Sequence, residues 1–204
     1  AKEVAEKVTA VVIGAADAAA TAIAYGADDA ITVDAAEYNT EAYAAIVVEL
    51  VKKYAPEMLF VGATPNGKDL GARVAAKLKA GCVTDVIGMK EADGKIVLTA
   101  PLYGGTIYSD VTVEGTVVAI IRGGVFKKAE EPDTAKEGTI TAETVEIADL
   151  RAKIVNSVQE ISESVNLEEA EIIVAGGRGV GSAENYELVK ELASLLGGVV
   201  GATR

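Results

Sequence analysis

Apolar and polar positions along the chain switch repeatedly between the periods of a strand and a helix. Residues 8–14 (VTAVVIG) form an unbroken β-branched run that stops at a glycine, the pattern of a buried parallel strand. Residues 15–25 are alanine-rich and favour a helix that Gly26 can end. Residues 30–33 (AITV) read as a short strand. Asn39 and Thr40 precede a helix over 41–54, where Ala45, Val48 and Val51 recur at helical spacing. Pro56 interrupts, residues 58–61 (MLFV) read as another buried strand, residues 63–68 (ATPNGK) as a loop, and 70–78 as a helix. This βαβαβα order predicts a parallel sheet with helices on both faces.

The middle of the chain changes character. Residues 83–87, 96–100, 105–109 and 115–121 are strand-like runs between glycines and charges, read as a β-rich extension with hairpins. Asp93-Gly94 is a strong hairpin signal. Residues 127–138 are charged and contain Pro132, so they read as exposed connection. Residues 140–147 alternate like an edge strand, and 153–158 suit a further strand.

The βα pattern then restarts. Asn166 precedes a short helical start at 167–169, and residues 171–175 (EIIVA) read as a buried strand. A glycine-rich turn follows, then a helix over 183–196 with Ser182 as cap candidate, and a new strand at 198–201. The fold expected is α/β: a three-layer parallel-sheet domain with a β-rich extension over 1–164, then the first βα unit of a Rossmann-like domain over 165–204. One βα unit with a few further residues does not bury both faces of a sheet. The second unit is therefore expected either to be a fragment or to take its missing strands from elsewhere.

Composition narrows the chemistry. The 204 residues carry 19 basic and 31 acidic side chains, a formal charge of −12. That balance speaks against nucleic-acid binding and against docking on anionic lipid. Histidine is absent, so imidazole acid–base chemistry, Ser-His-Asp triads and HExxH zinc sites are excluded. The single cysteine, Cys82, permits no intramolecular disulfide or CxxC pair. It reads as a small buried residue beside a strand. No apolar run approaches the ~18–20 residues of a membrane helix, and the first ten residues lack a signal-peptide core. A cytoplasmic location is the expectation.

Three segments offer ligand chemistry. Residues 175–182 (AGGRGVGS) follow a predicted strand and open a helix. Gly177, Gly179 and Gly181 permit close backbone approach, the helix start favours phosphate, and Arg178 supplies a guanidinium for a diphosphate. The spacing matches neither GxGxxG nor a P-loop, so a plain strand-to-helix turn is the competing reading. Glu184 and Asn185 suit an ordinary helix start. In residues 61–70 (VGATPNGKDL), Thr64, Asn66 and Lys68 offer polar groups at a strand's carboxyl end, against a plain loop capped by Asp69. Arg122 ends an apolar strand and is expected to meet a carboxylate of a ligand or partner, or to be a satisfied surface residue. Three classes remain open: a redox carrier, a nucleotide-binding α/β enzyme, and an interaction domain.

Taken together, these motifs resemble the alpha subunit of the electron transfer flavoproteins. Residues 176–204 (GGRGVGSAENYELVKELASLLGGVVGATR) resemble the opening of that family's FAD domain, with Thr203 where the family has serine. Residues 38–43 (YNTEAY), 62–70, 101–106 (PLYGGT) and 122–126 (RGGVF) resemble it too, in the same order. The resemblance implies a heterodimer with a beta subunit and an FAD that accepts electrons from acyl-CoA or other dehydrogenases and passes them on, as in fatty acid beta-oxidation. It implies a carrier and not a catalytic enzyme. It implies that Arg178 and Gly179, in the glycine turn, and Thr203 contact FAD. It also implies that Arg204 lies beside the flavin ring, where a cation favours the reduced, anionic form. The family's further flavin-binding motifs would follow Arg204. The expectation is therefore one edge of an FAD site, and weak or no FAD binding by this chain without further polypeptide or a compensating chain.

Overall fold

The computed structural model describes residues 4–35, 37–127, 132–133, 136–147, 150–155, 167 and 170–203. The chain forms two compact units, Ala1–Val155 and Asn156–Arg204. The first begins with β1 (Thr9–Ile13), α1 (Ala18–Ala24), β2 (Asp29–Val33), α2 (Thr40–Tyr54), β3 (Met58–Gly62) and α3 (Pro65–Leu78). It continues with β4 (Gly81–Val86), β5 (Gly88–Ala92), β6 (Lys95–Leu102), β7 (Ile107–Val111), β8 (Val117–Ile121) and β9 (Thr139–Glu143). Parallel ladders run β1–β2–β9 and β3–β8–β4, while β5–β6–β7 is antiparallel.

Strand periodicity sorts the layers. Neighbouring side chains on a strand point to opposite faces. On β2, Ala30 packs with Ala19 and Ile23 of α1, whereas Ile31 and Val33 pack with Ile46 and Leu50 of α2. On β8, Val118 packs with Val74 and Ala75 of α3, whereas Val117 and Ala119 pack with Leu98 and Ala100 of β6. Helices α2 and α3 thus cover one face of the parallel strands, and α1 and the antiparallel sheet cover the other. This is the expected three-layer α/β domain, with the β-rich extension standing where a helix would. Ile46, Leu98, Val118 and Ile120 are almost wholly withdrawn from solvent, each contributing about 2 kcal/mol by burial.

Local chemistry sets the ends of the elements. Asn39 caps α2, its side chain accepting from the N–H groups of Glu41 and Ala42 at 2.9 and 3.2 Å. Thr64 caps α3, with Gly67 N–H donating to its hydroxyl at 3.0 Å, and Pro65 occupies the first turn, where no N–H is needed. Asp93 and Gly94 both take positive φ, 51° and 70°, making the expected tight hairpin between β5 and β6.

Several expectations are corrected. Residues 65–68 are helix, not loop, and Thr64 rather than Asp69 is the cap. The first helix is shorter than 15–25. Strands β4 and β8 belong to the parallel sheet with β3 and not to the hairpin extension. β8 is apolar throughout because both its faces are covered. Gly105 lies in a short 3-10 turn, and β7 begins at Ile107. The strand expected over 140–147 is β9, at the edge of its ladder and ending at Glu143. Residues 153–155 form no strand, and 156–158 lie outside the described residues.

The second unit contains β10 (Ile173–Gly176), α4 (Tyr186–Leu196) and β11 (Val199–Ala202), with β10 and β11 parallel. One face of α4, through Val189 and Ala193, turns inward, and Gly197 ends the helix in the left-handed region at φ 65°. The described residues of this unit thus form a single parallel βαβ unit. The short helical start expected at 166–169 falls on residues of which only Leu167 is described. Among the described residues, no helix is long and apolar enough to cross a membrane, and no acidic or cysteine cluster suits a metal ion.

Candidate functional site

In the second unit the glycine turn leaves the carboxyl end of β10 beside the carboxyl end of β11. Gly176 pairs with Ala202, and Thr203 N–H donates to Gly176 O at 3.0 Å. The next residue on each strand is then Gly177 on one side and Thr203 on the other. A Cβ on Gly177 would lie 2.7 Å from Thr203 Oγ1, so glycine is what lets the two strand ends close. Residues Arg178–Val180 make one 3-10 turn, and Gly181 follows at φ 82°, a conformation that favours glycine.

The turn is tied to the helix behind it. Asn185 Nδ2 donates to Val180 O at 3.0 Å, and Asn185 N–H donates to Ser182 Oγ at 3.2 Å. Ser182 therefore caps a turn at 183–185, and α4 starts three residues later than its expected start. Tyr186 fixes the other side: its hydroxyl donates to Gly201 O at 2.5 Å, and a Cβ on Gly176 would meet its ring. Neither Gly176 nor Tyr186 stands out by sequence pattern, because their roles are set by each other across the βαβ unit.

Of the expected site residues, the structure brings Arg178, Gly179 and Thr203 to one end of this small sheet. Arg178 is exposed, and its guanidinium makes no ion pair or hydrogen bond with a described residue. A side chain added at Gly179 would meet no atom within 4 Å, so the backbone there is open to an incoming group. Arg204 lies outside the described residues.

In the first unit, the segments 38–43 and 62–70 come together. Tyr38 hydroxyl donates to Asn66 O at 3.0 Å, accepts from Thr40 Oγ1 at 3.2 Å, and its ring meets Tyr43 edge-on at 4.8 Å. Within 62–70 the Thr64 side chain is used by the fold, whereas Asn66 takes part through its backbone oxygen. Thr64 caps α3, and a Cβ on Gly67 would strike Gly62 O. Gly71 lets α3 approach the sheet, where a Cβ would stand 3.0 Å from Ile120.

Arg122 meets a carboxylate of its own chain. Its Nε and a terminal nitrogen donate to the two oxygens of Asp85 at 2.7 and 2.5 Å. The guanidinium holds the Asp85 carboxyl below the usual carboxylate range. Asp85 takes φ 61° at an irregularity in the β4–β8 ladder, and nothing in the chain pattern marks that bulge. Cys82 is exposed on β4, contrary to the buried position expected, and loss of water around the thiol raises its pKa. It is not an activated thiol.

Two family models match the chain: the electron transfer flavoprotein domain over residues 1–149, and the electron transfer flavoprotein FAD-binding domain over residues 166–204. The electron transfer flavoprotein subunit alpha of Thermoanaerobacterium thermosaccharolyticum is 39% identical over 89% of this chain and 57% of its own length. The subunit of that name from Bacillus subtilis is 36% identical over the same shares. Protein FixB of Clostridium saccharobutylicum is 38% identical over 88% of this chain and 56% of its own. The chain thus spans somewhat more than half the length of these relatives. With both family models in register along it, the chain belongs to the electron transfer flavoprotein alpha-subunit family.

Proposed function

We propose that this chain supplies one wall of an FAD site in an electron-carrying subunit that pairs with a beta subunit. The observation that carries this reading is the glycine turn, with Gly177 and Thr203 side by side at two parallel strand ends and Arg178 next to them, exposed and without an ion pair among the described residues. Ligands of open α/β sheets bind at carboxyl strand ends. A guanidinium there makes charge-assisted contacts to a diphosphate, and an open glycine lets phosphate oxygens reach backbone N–H groups. The donor set of Arg178, the backbone at Gly179 and the Thr203 hydroxyl therefore suits a dinucleotide. Arg204, next along the chain, would add positive charge near the flavin ring.

FAD, when bound, accepts and passes on the electrons. The chain's own residues bind it, orient it and set the charge around it, a carrier's role with no catalytic acid, base or nucleophile assigned. On this reading residues 1–164 form the non-flavin domain that packs against the beta subunit, and residues 165–204 open a Rossmann-like FAD-binding domain. Acyl-CoA or other dehydrogenases supply the electrons, and the setting is cytoplasmic.

The test is a titration with FAD followed by visible absorption, with this sequence carried in a polypeptide of its relatives' full length and a beta subunit present. A perturbed, protein-bound flavin band that Arg178→Ala weakens about tenfold or more supports the reading. Free-flavin absorption throughout, or binding indifferent to Arg178→Ala, contradicts it.

A further inference from the structure

We propose that Asn39 and Glu41, at the start of α2, form a latch that holds the chain where it leaves the first unit. Residues 150–155 are the last described before the division between the units, and they form neither helix nor strand. Apolar burial does not hold them: Leu150, Ile154 and Val155 are all exposed, Val155 almost fully. Upstream, Val145 and Ile147 pack against the cluster around Ile46 and Leu50. Past Ile147, among the described residues, this segment is tied by three hydrogen bonds to the start of α2. Glu41 Oε2 accepts from Arg151 N–H at 2.8 Å and from Ala152 N–H at 3.2 Å. Asn39 Nδ2 donates to Ala152 O at 3.1 Å.

Ordinary helix capping accounts for half of this arrangement. Asn39 Oδ1 accepts from the first-turn N–H groups of α2, and serine, threonine or aspartate would do that as well. The amide donor, which those residues lack, is the half that reaches Ala152. Glu41 occupies the second helical position, whereas the acid of a capping box sits at the third and folds back on its own helix. Glu41 turns outward to a segment 110 residues away. A carboxylate on two neighbouring N–H groups makes charge-assisted bonds, and these two donors hold Glu41 below its ordinary carboxyl range. Arg73 of α3 and Arg151 of the segment itself add positive charge, and Asp69 of α3 lines the same cleft.

The consequence lies in the length of the connection. With the latch closed, the chain toward the second unit is tied down through Ala152. With it open, residues 150–152 join the connection, extending its reach by up to ~11 Å. The latch thus sets the root from which the second unit is tethered, whatever that unit binds.

The test is hydrogen exchange at the Arg151 and Ala152 amides, together with tryptic cleavage after Arg151 and Lys153, on the purified chain. Two variants separate latch from cap. Glu41→Ala removes both acceptor contacts, and exchange at Arg151 and Ala152 should rise about tenfold or more, with cleavage accelerated in parallel. Asn39→Asp keeps the cap and loses the donor, so cleavage should accelerate severalfold while the Glu41 and Ala42 amides stay as protected as before. Unchanged exchange and cleavage in both variants would overturn the latch. So would a change spread evenly over α2 and 150–155, which would mean a general loosening of the helix.

Discussion

Gly177 and Thr203 touch across the ends of two parallel strands so closely that a single methyl group on Gly177 would come within 2.7 Å of the Thr203 hydroxyl oxygen. Gly177 has an extended backbone, φ −127° and ψ −168°, so alanine would be free of backbone strain there. Its cost would come from Thr203 alone. Gly177→Ala should destabilise the second unit by about 1–3 kcal/mol, the range for overpacking. Gly177→Ala combined with Thr203→Ala should recover most of that loss. A double-mutant cycle by chemical denaturation measures the coupling; additive effects would show that the two residues are not in contact.

The start of α3 is a second place where the sequence is fixed by geometry. Thr64→Ala should cost about 1 kcal/mol through loss of the cap, and Thr64→Ser much less. Gly67→Ala should cost more than Thr64→Ala, because its Cβ would strike the backbone oxygen of Gly62, which cannot swing aside like a side chain. Equilibrium unfolding of the three variants gives the order.

Asp85 carries a side chain at φ 61°, where glycine is at ease and alanine is not. Both Asp85→Gly and Asp85→Ala lose the Arg122 pair, so their difference isolates the backbone. Asp85→Ala should be less stable than Asp85→Gly by about 1 kcal/mol. Equal stabilities, measured by thermal unfolding, would place the strain elsewhere.

Edge strand β9 is tied to α2 at Glu143. Lys53 Nζ donates to its two oxygens at 2.6 and 2.7 Å, and Tyr54 hydroxyl donates to one of them at 2.5 Å. Lys53 first, then Tyr54, hold the Glu143 carboxyl below its ordinary value. A carboxyl whose folded pKa is depressed stabilises the fold above its unfolded pKa, and the gain is lost as pH falls through the folded value. Stability should therefore decline as pH drops below the ordinary glutamate range, and Glu143→Gln should flatten that decline. Hydrogen exchange of the β9 amides across that pH range checks it, and an identical pH dependence in Glu143→Gln would remove Glu143 from the account.

Much of this fold is legible in the chain because buried runs and helical spacing are local. The strand at 8–14, the helix after Asn39 and the Asp93-Gly94 hairpin can all be read directly. The start of α3 is misread because Pro65, Asn66 and Gly67 look like turn residues, although proline suits a first helical turn and Gly67 answers a close contact. Strands β4 and β8 are misassigned to the extension because an apolar run does not state its partner. The unbroken VVAII of β8 is the signal that could have placed it in a doubly covered sheet. At the candidate site, Arg178 and the glycines are visible as a motif. Tyr186 against Gly176, and Glu41 reaching residues 151 and 152, depend on contacts between distant segments and leave no local pattern.

The most direct test of the flavin reading is amide hydrogen exchange across residues 176–181 and at Thr203, with and without FAD. It is best made on this sequence within a polypeptide of its relatives' length, paired with a beta subunit. The account predicts that FAD slows exchange in the glycine turn and at Thr203 together, with the protection lost in Arg178→Ala. Bound FAD that leaves both segments exchanging as before would contradict it.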